Sequence, residues 1–171
     1  MGRRVSGLML SLIIVSMTLS GCISSKENSS NDDIDEAPEL IPPYFEKDGY
    51  RCFEHDGYER CWITYVPEIV NGSELVPLII DLHGWSLSAF EQREISGFDE
   101  IAEEYGAILL NPEGLALGGD PTTGGSEESW NAGWCCADAV ANDIDDLGFL
   151  NQLIDIAIEI HPVDPNRVYV T

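Results

Sequence analysis

Apolar residues in this chain fall into short unbroken runs, each stopped by glycine, proline or asparagine, and into longer stretches with a helical period. The run Val76-Pro77-Leu78-Ile79-Ile80-Asp81-Leu82 halts at His83-Gly84-Trp85. A short run that is apolar on consecutive positions predicts a strand covered on both faces, as inside a parallel sheet. Ala107 to Leu110 repeats the pattern and stops at Asn111-Pro112, and Arg167-Val168-Tyr169-Val170-Thr171 begins a third run after the turn Asp164-Pro165-Asn166. Between the first two, Ser88 with Glu91 forms a capping box, and a second start at Ser96 with Asp99 opens a helix that Gly106 ends. Its residues Phe98, Ile101, Ala102 and Tyr105 recur at i, i+3, i+4 and i+7 and predict one buried face. A longer helix, capped by Asn142 and running to about Ile160, carries Asp145, Gly148, Gln152, Asp155 and Glu159 on one polar stripe and is apolar elsewhere.

Ahead of these elements, Asp56-Gly57 is a two-residue hairpin turn, and Trp62 to Val66 belongs to the hairpin's second strand. Counting outward pairs His55 with Tyr58, Glu54 with Glu59, Phe53 with Arg60 and Cys52 with Cys61. The last pair falls at a non-hydrogen-bonded position, the closer kind, which predicts a Cys52–Cys61 disulfide. The succession of elements predicts an α/β fold: an N-terminal antiparallel hairpin, then parallel strands linked by helices with right-handed crossovers. Ligands of such sheets bind beyond the carboxyl ends of the strands, which is where Gly84 and Trp85 fall. There a glycine gives the backbone conformational freedom and close approach to a ligand, leaving the Trp85 amide free to face developing negative charge. The same residues also suit a tight strand-to-helix turn with no other role. Residues Glu113 to Trp134 form a long loop rich in Gly, Ser and Thr, and its Trp130 and Trp134 require either packing or a ligand.

The first residues read differently. Arg3 and Arg4 precede the apolar segment Leu8 to Leu19, too short to span a bilayer, so residues 1–21 are expected to be an export signal of the general secretory kind. Leu19-Ser20-Gly21-Cys22 resembles the lipobox of prokaryotic lipoproteins, with Cys22 as the lipidated residue. Residues 22–45 then form a polar tether, too poor in apolar residues to build a core, and residues 46–171 form the folded part. The expected location is outside the cell, anchored to the outer face of the membrane through Cys22, or secreted.

Eight basic against 31 acidic side chains give a net charge of −23, which argues against a nucleic-acid partner. The acidity is explained by a solvated surface and does not indicate a metal. Asp143-Ile144-Asp145-Asp146-Leu147-Gly148 has the outline of a calcium loop, but Leu147 occupies a ligand position and Ile154 stands where the bidentate acid belongs. His55, His83 and His161 lack metal-ligand spacing, so no metal and no cofactor are expected. Cys135 and Cys136 are adjacent, and their partners are left open.

Five motifs, in order, carry a resemblance: Leu82-His83-Gly84-Trp85, Tyr105 to Pro112, Trp130-Asn131-Ala132-Gly133-Trp134-Cys135-Cys136, Asp145 to Leu150, and Asp164 to Thr171. Together they resemble the secreted polyhydroxybutyrate depolymerase and feruloyl esterase group of α/β-hydrolases, over about residues 58 to 171. The resemblance implies a carboxylic ester hydrolase using Ser-His-Asp catalysis, acting on an ester that is polymeric or small. In that group the strand resembling Arg167–Thr171 runs into G-x-S-x-G, followed later by the acid and the histidine. None of the three lies in this sequence, so the chain is expected to be an N-terminal portion, inactive alone. The resemblance assigns it half of an oxyanion hole, the Trp85 amide, with Gly84 shaping the loop and Trp130 and Trp134 as substrate-loop candidates. The alternatives are a non-catalytic surface lipoprotein that binds a polymer or carbohydrate, and a purely structural envelope protein.

Overall fold

The computed structural model describes residues 43–122 and 127–171. The expected export signal, Cys22 and all but the last residues of the tether lie outside the described residues. Among those described, no helix is long and apolar enough to cross a membrane.

Strands β1 (Phe45–Lys47), β2 (Tyr50–His55) and β3 (Tyr58–Tyr65) form an antiparallel meander. After them come β4 (Val76–Ile80), helices α1 (Ala89–Ser96) and α2 (Phe98–Tyr105), β5 (Ile108–Pro112), helices α3 (Ala137–Ala141) and α4 (Asp146–Ile160), and β6 (Val163–Val170). All six strands join one mixed sheet in the order β1-β2-β3-β5-β4-β6, with β5, β4 and β6 parallel. This is the α/β arrangement expected from the order of the elements.

The consecutive apolar residues of the central strands are explained by the two sheet faces. Leu78 and Ile80 of β4, with Ile108 and Leu110 of β5, pack on one side with Phe149, Leu153, Ile156 and Ala157 of α4. Ile79 and Leu109, between them in sequence, point the other way and pack with Ala102 of α2. Each fully buried Leu or Ile stabilises the fold by roughly 1.5–3 kcal/mol, so a polar residue at any of these positions would leave one layer without its contact.

The hairpin register is as counted from its turn, with Cys52 opposite Cys61, Phe53 opposite Arg60, Glu54 opposite Glu59 and His55 opposite Tyr58. Asp56 and Gly57 have φ of 51° and 81°, the positive pair that a two-residue turn of this hand requires. Cys52 and Cys61 are disulfide-bonded with their Cα atoms 4.1 Å apart.

Several boundaries differ from expectation. β1 begins at Phe45, and Tyr44 before it already packs edge-on against Trp62 at 5.7 Å. β5 continues through Asn111-Pro112, because Glu113 carries the ladder onward by donating its N–H to the Cys61 carbonyl at 2.8 Å. Gly97, at φ 72°, caps α2 in place of Ser96, which closes α1. Asn142 ends the short α3, and Asp145 caps α4 by accepting from the Gly148 N–H. The helix expected from Asn142 thus begins at Asp146, past Asp143 at φ 51°, and the short α3 ahead of it was not expected. The Asp164-Pro165-Asn166 turn lies within β6 as an irregularity, since Val163 pairs with Val76 while Val168 pairs with Leu78.

Candidate active site

The site grows from the carboxyl ends of β4 and β5. Asp81, directly after β4, is buried, and its carboxylate accepts from Gln92 Nε2 of α1 at 2.8 Å and from Asn111 Nδ2 of β5 at 3.1 Å. These two amides satisfy a buried acid that forms no ion pair among the described residues, and they tie α1 to the strand ends.

The loop that follows turns on His83, which is buried against both neighbouring segments. Its Nε2 accepts from the Gly114 N–H at 2.7 Å. An accepting Nε2 puts the proton of a neutral imidazole on Nδ1, which lies 2.8 Å from the Gly84 carbonyl and donates to it. The His83 carbonyl in turn accepts from the Trp130 indole N–H at 3.0 Å. Further along, Leu87 N–H donates to the Gly84 carbonyl at 3.1 Å and Ser86 N–H to the Glu128 carbonyl at 3.0 Å. Among the described residues the Trp85 amide meets no acceptor, and its side chain is 64% exposed. The loop therefore holds the Gly84 carbonyl and the Ser86 N–H and leaves the Trp85 N–H between them without an acceptor among the described residues.

The strained residue of this loop is Ser86, at φ 68°, and not Gly84. A Cβ built at Gly84 would meet nothing nearer than Leu87 Cδ1 at 4.0 Å. The glycine therefore leaves open space at this position.

A second layer lies beneath the loop. Glu113 follows β5 directly, and its side chain is fully buried. Its Oε2 accepts from the Ala89 N–H at the start of α1 at 2.9 Å, while Oε1 stands 3.1 Å from His83 Nε2. Burial pushes the Glu113 carboxyl above its ordinary range, against the opposing pull of His83 and the Ala89 N–H. Gly114 must be glycine here, because a Cβ would lie 2.9 Å from both His83 Cε1 and the Ser129 carbonyl oxygen. The sequence reading missed Glu113, which it took as the start of a loop. An acid wedged between Pro112 and Gly114 after a buried strand was the available signal, but only α1 lying over it makes the position a core one.

The long loop is closed on itself by paired bonds between Leu115 and Ser129. Trp130 stacks on Phe149 at 6.4 Å with 13° between planes and lies 5.2 Å from the His83 ring, so it anchors the loop to the core. Below it the buried Arg60 sits 4.0 Å over the Phe149 ring and donates to Asp146 at 2.6 Å. Asp146 also accepts from the Asn131 N–H at 2.6 Å, which fixes the residue after Trp130. Trp134, the other aromatic of the loop, is 88% exposed. Cys135 and Cys136 are joined to each other as a vicinal pair.

The remaining histidines are engaged elsewhere. His55 faces Gln152 at 2.9 Å and Asp145 at 3.2 Å, and His161 accepts from Arg51 at 3.2 Å, with burial first and then Arg51 lowering its pKa. Among the described residues the cluster with metal-ligand atoms in mutual reach is Cys52, Glu59 and Cys61, whose sulfurs are bonded to each other.

The strand order, the crossovers through α1–α2 and α3–α4, and the loop after β4 make up an α/β-hydrolase sheet. Solved structures with this fold include native sOPH, at TM-score 0.57 and 20% identity, covering 78% of this chain and 44% of that one. An S-formylglutathione hydrolase from Agrobacterium tumefaciens superposes at 0.52 with 15% identity, covering 74% of this chain and 50% of that one. A thermostable esterase does so at 0.50 with 17% identity, covering 75% and 33%. The chain thus spans half or less of each of these structures. No family model matches the sequence, and no curated protein matches it.

Proposed function

We propose that the chain is part of a carboxylic ester hydrolase, of the polyhydroxybutyrate depolymerase or feruloyl esterase type, and that Trp85 supplies one of its two oxyanion donors. The observation that carries this reading is the Trp85 N–H, without an acceptor among the described residues, in the loop past the carboxyl end of β4. When a serine oxygen adds to an ester carbonyl, the carbonyl oxygen gains charge that a preorganised amide stabilises by about 3 kcal/mol. The buried Asp81, His83 and Glu113 set the loop before that charge develops, so little reorganisation is needed during reaction. The serine, by the resemblance, belongs to a turn following β6, and its own neighbouring amide would complete the hole. The acid and the histidine would follow. That several fold neighbours are esterases or hydrolases supports the same chemistry. In this reading the enzyme acts outside the cell, held to the membrane by a lipid on Cys22.

The test is to read the coding sequence downstream of Thr171 and to assay both forms on a short-chain nitrophenyl ester. The expected outcome is a G-x-S-x-G motif within a few codons, turnover by the completed chain and none by residues 1–171 alone. Turnover by the 171-residue chain, or a completed chain with no serine after β6, overturns the proposal. A second reading, a non-catalytic surface lipoprotein that holds a polymer or carbohydrate, is favoured by the 88% exposure of Trp134. It requires the completed chain to bind such a polymer and to hydrolyse no ester.

A further inference from the structure

The pair of side chains beneath the loop poses a problem of proton count. Glu113 Oε1 is buried and, as an acceptor, finds no donor among the described residues. It stands 3.1 Å from His83 Nε2, which already accepts from Gly114 N–H at 2.7 Å. An ionised carboxylate would set two lone pairs against each other in the core. An imidazolium would turn its Nε2–H against the Gly114 N–H. One arrangement satisfies every atom: Oε1 carries a proton and shares the Nε2 lone pair with Gly114, Oε2 accepts from Ala89 N–H, and Nδ1–H holds the Gly84 carbonyl.

We propose that Glu113 is a positioning residue for the oxyanion loop, buried as a neutral carboxylic acid that locks His83 in its Nδ1–H tautomer and through it fixes the Gly84–Trp85 peptide. The proposal deepens the esterase reading, on which its catalytic consequence rests, but the proton arrangement can be measured without catalysis. The surroundings agree with a neutral acid. Tyr50 of β2 and Glu128 of the long loop face the same region, and among the described residues no basic side chain hydrogen-bonds Glu113 in place of the histidine. Arg60 of β3 is within electrostatic reach, but its guanidinium is engaged by Asp146. Glu91 of α1 adds a further negative charge nearby, felt by Tyr50, whose pKa is pushed up to about 12 by burial and these acids. Burial and Glu128 both raise the Glu113 pKa.

The geometry also explains why this acid links two elements. By accepting from Ala89 at the first turn of α1 and donating to the ring that holds Gly84, Glu113 spans the loop at both its ends. Glutamine has the same shape and offers one donor and one acceptor, so Glu113→Gln reproduces the neutral acid. Glu113→Ala removes both bonds.

The experiment is nitrogen NMR of the protein labelled on histidine, comparing wild type, Glu113→Gln and Glu113→Ala. In wild type the His83 ring is expected to show one protonated and one accepting nitrogen. Glu113→Gln keeps that signature. Glu113→Ala loses it, and hydrogen exchange at the Ser86 and Leu87 amides quickens by roughly tenfold or more. Two protonated ring nitrogens in wild type, collapsing to a neutral ring in Glu113→Gln, would overturn the proposal by revealing an ionised pair. So would a Gln variant as disturbed as the Ala variant. If Glu113→Ala does not fold, the comparison of wild type with Glu113→Gln still decides the protonation state. In the completed enzyme Glu113→Ala is expected to lower kcat with little change in KM, and Gln to restore it; a completed chain without esterase activity instead removes the esterase reading and leaves the ring measurement to decide Glu113's role.

Discussion

At the scale of single residues, the site depends on a few side chains that occupy the core without being apolar. Asp81, His83 and Glu113 are all buried, and each is placed by a bond to an element distant in sequence. Gly114 is the clearest case of a position with no room to change. A methyl group there would meet the His83 ring and the Ser129 carbonyl at 2.9 Å, and the carbonyl is backbone that cannot swing aside. Gly114→Ala is therefore expected to destabilise the fold by about 1–3 kcal/mol, seen as a lower urea midpoint at unchanged slope. A midpoint equal to wild type would show that the packing beneath the loop is looser than described. The two tryptophans of the long loop illustrate what single residues do not reveal in sequence. Both lie in the same short run of small and polar residues, yet Trp130 anchors to the core through Phe149 while Trp134 stands in solvent.

At the scale of elements, the hairpin was fully legible because its register follows from turn chemistry and a period of two. Its disulfide closes the loop between residues 52 and 61, and removing it by Cys52→Ala with Cys61→Ala should cost about 2–3 kcal/mol by the loop-entropy estimate. Mass mapping of the unreduced protein should find the two peptides linked, and free thiols at both positions would contradict the register. The start of α4 was not legible, because Asn142, which reads as its cap, instead closes the short α3. What sets the start at Asp146 is the cap at Asp145 and the bonds of Asp146 to Arg60 and the Asn131 N–H. Asp146→Ala would leave the buried Arg60 guanidinium without its partner, at a cost of about 3–5 kcal/mol. Replacing both residues by apolar ones of similar volume should recover most of that loss. Thermal unfolding of the single and double variants measures the difference.

At the scale of the whole molecule, charge and one exposed edge dominate. α2 was expected to bury Phe98, Ile101, Ala102 and Tyr105, but only Ala102 is fully buried. Ile101 and Tyr105 instead line an open apolar groove of about 350 Å³ beside β6, where Tyr169 is 56% exposed. Among the described strands β6 is an outer one. The pH dependence of stability follows from signs. Burial raises the Glu113 pKa above the ordinary 4.5, so the stability tied to its neutral form is present below 4.5 and is lost as pH rises through its folded pKa. Asp120, lowered to about 2, and Asp145 and Asp164, also lowered, act the opposite way and lose their contribution as pH falls below the usual aspartate range. Asp120 and Asp145 are exposed and Asp164 is half-buried, so their effect is small and largely screened by salt. With a net charge of −23, repulsion also grows as the carboxylates ionise. The melting temperature is therefore expected to be highest on the mildly acid side of neutral, and added salt should raise it more at alkaline pH. A melting temperature that climbs steadily from acid into alkaline pH would contradict this balance.

The sequence by itself determined what local periods and turn chemistry can encode: the hairpin and its cysteine pair, the strands of β4 and β5 buried on both faces, the capping box of α1, and the α/β order. Those features depend on residues within a few positions of one another. Only the tertiary structure decided that β5 lies between β3 and β4, that Glu113 sits under His83, and that Arg60 meets Asp146 across 86 positions. Contacts over such separations leave no periodic trace, because the burial that makes a polar side chain consequential comes from elements elsewhere in the chain.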